Sequence, residues 1–326
     1  MGPDRGGLEA GGCPACGAPA LRRWRSATAS DRQLAGRRRF ELARCDRCGS
    51  AATLGEAPPP ALYEGGTYAP ARGSVAPLLE LLRRLADRDR MRFLRAVPVG
   101  ARVLEVGAGD GSFVGLMRAQ GLDAWGLDPS PAAREAARAA GLEVVSAGID
   151  DAEVEPASQD AVVLWHSLEH VGDPASAIQR VGGWLRPEGR VVVAVPNLAG
   201  LQARWGGDRW FHQDVPRHRT HFTPAGLGAL LERSGFRVER TRHLLVEQNP
   251  LGMWQTLLNR LTGERDFAFR LIKRDLAGSG AGARARDLAI TAIAGPPLVP
   301  VALALELAAG LAGRGGSMVA EGALRR

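Results

Sequence analysis

The chain has 326 residues, 42 basic against 35 acidic side chains and 45% apolar residues, enough for one large domain and a small one with ample core. Lys273 is the only lysine; with abundant Ala, Gly and Pro, this arginine bias reads as compositional drift, and the net charge of +7 does not by itself make a nucleic-acid binder. Met1 to Gly12 lacks the apolar core of an export signal, so a cytoplasmic location is expected.

All four cysteines lie in the first fifty residues, Cys13 and Cys16 in C-P-A-C-G and Cys45 and Cys48 in C-D-R-C-G. Two such turns bring four thiolates to one tetrahedral point and predict Zn²⁺; four sulfurs leave no open position, so the role is structural. Two disulfides are the alternative, at odds with a reducing compartment. Strand-like pieces near Arg22–Arg25 and Phe40–Ala43 make residues 1–54 a zinc ribbon. Its Arg22, Arg23, Arg25, Arg37, Arg38 and Arg39 either bind an acidic partner or form a solvated face. Pro58-Pro59-Pro60 marks 55–77 as a linker, which contains both tyrosines, Tyr63 and Tyr68. Leu78, Leu81, Leu82, Leu85, Phe93 and Leu94 predict an amphipathic helix over 78–96.

The chemistry centres on R-V-L-E-V-G-A-G-D-G-S-F, residues 102 to 113. Arg102 to Val106 reads as a buried strand, Gly107, Gly109 and Gly111 as a tight turn, and Ser112 to Gln120 as a helix. This arrangement sets backbone N–H groups against a ligand at a helix N-terminus. A second strand, 124–127, ends at Asp128, whose carboxylate suits a ribose diol. The dinucleotide pattern G-x-G-x-x-G does not fit, because the third glycine would fall on Ser112 or Ala119. Helices are predicted over 131–140, 174–185 and 223–234, the last opened by Thr223-Pro224. Strands are predicted over 143–146, 161–165, 190–195 and 236–246. Such alternation predicts an α/β fold with a parallel sheet covered on both faces.

E-x-G-x-G-x-G at 105–111, H-S-L-E-H-V-G-D-P at 166–174 and L-R-P-E-G-R-V-V-V-A-V-P-N at 185–197 together resemble class I S-adenosylmethionine-dependent methyltransferases. The resemblance is to the group containing the ubiquinone-biosynthesis and methyltransferase-domain-23-like enzymes, and it covers roughly 96–246. It implies a Rossmann-like seven-stranded sheet within a domain spanning 78–326, with S-adenosyl-L-methionine at the strand carboxyl ends. Glu105, Gly107 and Gly109 would line the methionine part, Asp128 would take the ribose hydroxyls, and Ile149 and Asp150 would flank adenine. His166 would sit below the sulfonium, while Ala108, Gly111 and Pro129 complete the implied cofactor set. It also implies that Ser317 to Leu324 returns to the sheet as an antiparallel last strand.

The loop W-F-H-Q-D-V-P-R-H-R-T-H-F-T, residues 210 to 223, lies where this fold places substrate contacts. His166, His212, His218 and His221 are the general-base candidates, and Arg217 or Arg219 the anion holders; the alternative is that the histidines merely pin the loop to the domain. His166 and His170 are four apart, but Glu169 does not occupy the second position of H-E-x-x-H, so no catalytic metal is expected. Residues 288–312 are nearly uncharged, yet Pro296, Pro297 and Pro300 interrupt them. The expectation is a packed or interfacial hairpin within an apolar insertion at 286–314, covering the active site or meeting a membrane surface. The acceptor is expected to be a small or lipid-like molecule. RNA gripped by the ribbon is a rival, although the [D/N]-P-P-[F/Y] signature is missing. A sugar C-methyltransferase and a non-catalytic adaptor with a relict fold are the others.

Overall fold

The computed structural model describes residues 12–29, 39–59, 61–64, 88–245, 248–273 and 280–325. At the N-terminal end β1 (Arg22–Thr28) and β2 (Arg39–Arg44) pair antiparallel, and β3 (Ala51–Thr53) extends them. Arg37, Arg38, Tyr68 and the 78–87 part of the predicted amphipathic helix lie outside the described residues. Further along the same stretch residues 88–90 are helical, as expected, and lead into a 3₁₀ turn, Met91–Leu94, with Phe93 and Leu94 buried.

The main sheet then unfolds from alternation. β4 (Arg102–Val106) leads into α1 (Ser112–Ala119), β5 (Asp123–Leu127) into α2 (Pro131–Ala139), and β6 (Val144–Val145) lies at the edge. β7 (Gln159–Trp165) leads through α3 (Pro174–Trp184) to β8 (Leu185–Pro196). A short helix α4 (Leu201–Gly206), the two-residue β9 (Thr220–His221) and α5 (Pro224–Arg233) precede β10 (Phe236–Arg242). Leu104 and Val106 point to one core with Ile178, Val181 and Leu230, while Val103 points to the other with Phe113, Val114 and Met117. That is the two-residue period of a strand buried on both faces. Three helices open alike: Ser130, Asp173 and Thr223 cap backbone N–H groups, each with proline next. Proline loses nothing there, since the first helical N–H has no partner to give up.

After β10 come α6 (Asn249–Asn259), α7 (Phe267–Ile272), α8 (Ala281–Leu311) and β11 (Ser317–Leu324). The strand order is β10-β11-β8-β7-β4-β5-β6, with β11 antiparallel to both neighbours. The expected seven-stranded sheet and returning strand are therefore present. β8 starts five residues earlier than its apolar run suggests, and β10 stops at Arg242.

The apolar insertion corrects the expectation of a hairpin: it is one helix of 31 residues with Pro296, Pro297 and Pro300 inside it. These prolines withhold i→i−4 donors from the carbonyls of Ala292, Ile293 and Pro296. All three residues are exposed, so those carbonyls reach solvent and the helix continues. Trp254 of α6 donates to the Gly295 carbonyl at 2.8 Å and holds the proline segment from the other side.

Candidate active site

The sheet reverses direction of assembly between β4 and β7, which are parallel neighbours; a crevice at that switch point, outside the strand carboxyl ends, is where open α/β sheets bind ligands. The glycine turn after β4 forms one wall. Gly107, Gly109 and Gly111 all have positive φ, at 80°, 53° and 74°. A Cβ on Gly107 would stand 2.7 Å from that of Ser167, whereas one on Gly109 would meet nothing within 4 Å. The turn therefore packs tightly on the segment after β7 at one glycine and leaves bare backbone toward the crevice at the next. Asp128, at the tip of β5, accepts from Gly109 N and Ser130 N, both at 2.9 Å. Each oxygen keeps lone-pair capacity for a hydroxyl. An open backbone cradle with an oriented carboxylate fits the adenosyl and ribose parts of S-adenosylmethionine. Glu105 is buried within β4. Ala108 is buried and donates to Leu127 O, while Pro129 is exposed beside Asp128. Ile149 sends its side chain into the core and its carbonyl to Arg180, and Asp150 is exposed.

His166 forms the facing wall. It follows β7 with φ of 53°, a left-handed conformation that a branchless glycine adopts freely and histidine does not. Its Nδ1 lies 3.2 Å from Oε1 of Glu169, a carboxylate with 1% side-chain exposure. Glu169 is the site residue that motif reading passes over, because nothing in H-S-L-E-H says that the glutamate points inward. Burial alone would raise this carboxyl, but the His166 hydrogen bond and the nearby histidine charges outweigh it and hold it at about 2. The charged carboxylate favours the His166 tautomer with Nδ1–H, leaving Nε2 as the proton acceptor.

The histidine loop packs behind His166. His212 stacks nearly parallel to it, with ring centroids 6.5 Å apart. His218 directs Nδ1 to His212 O at 3.0 Å and Nε2 toward Glu169 at 4.0 Å, while His221 meets Thr53 Oγ1 at 3.0 Å. All three are buried. Burial, then neighbouring histidine charges, lowers His212 to about 3 and His218 to about 4, and pushes His221 well below the ordinary range. They are neutral at pH 7. Glu169, His170 and His218 bring ligand-capable atoms within 4.8 Å of one another. The two expected anion holders are both engaged: Arg217 chelates Asp214 at 2.9 and 2.7 Å, and Arg219 donates to Gly55 O and Glu56 O.

The four cysteines converge as expected. Cys13 and Cys48 sulfurs are 3.7 Å apart and Cys16 and Cys45 sulfurs 3.6 Å, close to the ~3.8 Å edge of a tetrahedron with ~2.3 Å Zn–S bonds. Gly17 and Gly49, at φ of 71° and 76°, close the two turns onto Cys13 O and Cys45 O. The donor set fits Zn²⁺, and disulfide bonds, at about 2 Å, do not fit these separations. The ribbon reaches the crevice wall directly: β3 pairs with β9, and Thr53 Oγ1 donates to His218 O at 2.6 Å. Thr223 Oγ1 donates to Cys48 O at 2.6 Å while capping α5.

A methyltransferase-domain family model matches residues 78–241. The ubiquinone biosynthesis O-methyltransferase of Xylella fastidiosa (strain 9a5c) is 31% identical over 159 residues, 44% of this chain and 65% of that protein. Its counterpart in strain M23 is also 31% identical, over 52% of this chain and 72% of that protein. The chain thus spans about two thirds of the length of these relatives. An S-adenosylmethionine-dependent methyltransferase from Mesorhizobium loti superposes with a TM-score of 0.45 at 18% identity, covering 74% of this chain and 99% of that one.

Proposed function

Because the chain belongs to the class I S-adenosylmethionine-dependent methyltransferases, we propose that it methylates a small or lipid-like acceptor at oxygen, carbon or nitrogen. The observation that carries the reading is His166, held in a strained backbone conformation at the switch point by the buried Glu169, opposite the open glycine turn. When bound, the cofactor supplies an electrophilic methyl group on sulfur. Gly107, Ala108, Gly109 and Gly111 would cradle it, Asp128 would hold its ribose, and Glu105 would support the methionine end. Ile149, Asp150 and Pro129 would border the adenine side. His166 Nε2 takes the proton from an acceptor O–H, N–H or activated C–H as the nucleophile attacks, and Glu169 favours the resulting imidazolium. His212, His218 and His221, neutral and enclosed, would shape the pocket and exclude water rather than take the proton. The cysteine set would hold a structural Zn²⁺. The relatives are named as O-methyltransferases, which makes O-methylation the first chemistry to test. A ribbon gripping RNA is not favoured, since Arg22 pairs with Asp46 and Arg25 with Gln213, and Arg39 and Arg44 bond within the ribbon.

Titration calorimetry with S-adenosylmethionine and, separately, NAD tests the reading. Binding of the methyl donor alone is expected, weakened roughly 10- to 100-fold by Asp128→Ala, as loss of charged hydrogen bonds predicts. Folded, zinc-loaded protein that does not bind the donor would overturn it.

A further inference from the structure

Helix α8 is the least buried long element among the described residues. Only Asp287, Gly295, Ala302, Glu306 and Ala309 are buried in its 31 residues, one narrow stripe facing the body. Both of its acidic residues are in that stripe and both are fixed: Asp287 accepts from Gly263 N and Glu264 N, and Glu306 accepts from Gln202 and Gly316 N. The two anchors are about 28 Å apart at ~1.5 Å per residue, so the helix is tied down along its length rather than at one end.

The opposite side is apolar throughout. Seven of the twelve large apolar residues that stand exposed among the described residues are on this one helix. At ~100° per residue, Ile293, Leu303, Leu307 and Leu311 fall within about 80° of arc, on the side away from the buried stripe. Alanines and prolines fill the gaps between them. Arginine stands at both ends: Arg286, 59% exposed and paired with Asp287 at 3.0 Å, and Arg314 just past the helix. An apolar strip of this length ended by cations matches one surface, anionic headgroups over acyl chains. A second protein surface would have to meet it without a single outward hydrogen-bonding side chain between residues 292 and 311.

We infer that α8 docks the protein on an anionic phospholipid bilayer, lying in the interfacial plane with its Ile293–Leu303–Leu307–Leu311 side inserted. It does not span. Its buried side is fastened to the fold at Asp287 and Glu306, near both ends. Docking also sets the crevice at the membrane. Glu306 binds Gly316 N, Gly316 O receives Asn197 N, and Ser317 pairs with Pro196 at the carboxyl end of β8. The C-terminal end of α8 therefore adjoins the sheet edge where ligand would sit, and a lipid-like acceptor would have a short path from the bilayer.

The test is vesicle flotation of the full, zinc-loaded chain, which needs no methyl donor and so fails independently of the proposed reaction. Partition onto phosphatidylcholine–phosphatidylglycerol vesicles is expected, weaker on phosphatidylcholine alone, and reduced at least about tenfold by Leu303→Glu/Leu307→Glu, which places two charges in the acyl region. Both positions are half exposed, so the melting temperature should hold; if it does not, Ile293→Glu near the other end replaces the pair. No partition of the wild type onto either vesicle overturns the inference, as does partition unchanged by the substitutions. A concentration-dependent dimer lost in the variant, without vesicle binding, would instead assign the face to a second copy.

Discussion

In the proposed reaction, Glu169 would set how the crevice handles protons. Its carboxylate is buried with one oxygen on His166, and the other oxygen has no hydrogen-bond partner among the described residues. His166→Ala should lower kcat by about 10²- to 10⁴-fold, the usual contribution of a general base, with donor affinity by calorimetry nearly unchanged. Glu169→Gln keeps the shape and removes the charge. It should lower kcat less than His166→Ala does, since the ring loses the carboxylate that fixes its tautomer. An unchanged kcat would reduce Glu169 to a packing residue. At this scale the glycine turn and the carboxylate at the tip of β5 were legible in sequence, and the placement of the loop histidines was not. Gly107, Gly109, Gly111 and Asp128 are bound to fixed turn and strand-end positions, so spacing reveals them. The three loop histidines are visible as residues, but whether a side chain turns to the crevice or to Thr53 is decided by tertiary contact. The left-handed backbone at His166 leaves no trace in composition at all.

At the scale of elements, the ribbon is a brace for the histidine loop. β3 and β9 are joined by the sheet, Thr53 holds both His218 and His221, and Thr223 ties α5 to the second cysteine turn. Zinc removal, by chelation or Cys45→Ser, is therefore expected to abolish turnover while donor binding persists, since the glycine turn and Asp128 lie on other strands. Zinc content, calorimetry and an activity assay on the same sample separate the two effects. Thr223→Ala removes a cap and a ribbon contact together and should cost about 1–2 kcal/mol of stability by denaturant melt. The ribbon's cysteines were plain in the sequence because C-x-x-C-G spacing carries its own chemistry. Its fourth strand was not, because a two-residue β9 has no periodicity to read. Nor was α6, whose buried Asn249, Gln255, Thr256 and Asn259 break the apolar stripe by which a packed helix is recognised.

Across the whole molecule, the enclosed histidines make stability depend on acid. His218 has a folded value of about 4 against an ordinary 6.5. Between those values the unfolded chain binds more protons than the folded one, so stability is full above about 6.5 and declines as pH falls toward 4. For this fully enclosed ring the shift corresponds to roughly 3 kcal/mol. His212 has the same sign over a wider window, down to about 3. Glu169, held at about 2 against an ordinary 4.5, adds a further loss below about pH 4.5. The melting temperature measured from pH 7.5 down to 4 should fall steeply, and less so in His218→Gln. A flat profile would mean that these rings are open to water.

β10 and β11 are sheet neighbours, with Arg242 opposite Val319, although α6, α7 and α8 lie between them among the described residues. Topologically everything between them is the loop of one hairpin, and its ends are already a strand spacing apart. Loop-closure entropy grows only logarithmically with length, by about 0.6 kcal/mol per doubling. Length in that loop is therefore thermodynamically cheap, and so is its loss. Joining Arg242 to Ser317 through two further residues, which gives a four-residue loop closed by the Arg242–Val319 pair, should give a shortened chain that closes the same seven strands and still takes up the methyl donor. It would lack α8, and with α6 gone the His212 ring would no longer be covered by Gly252. The hairpin thus marks where the common catalytic frame ends and where this chain's means of choosing its surroundings begins.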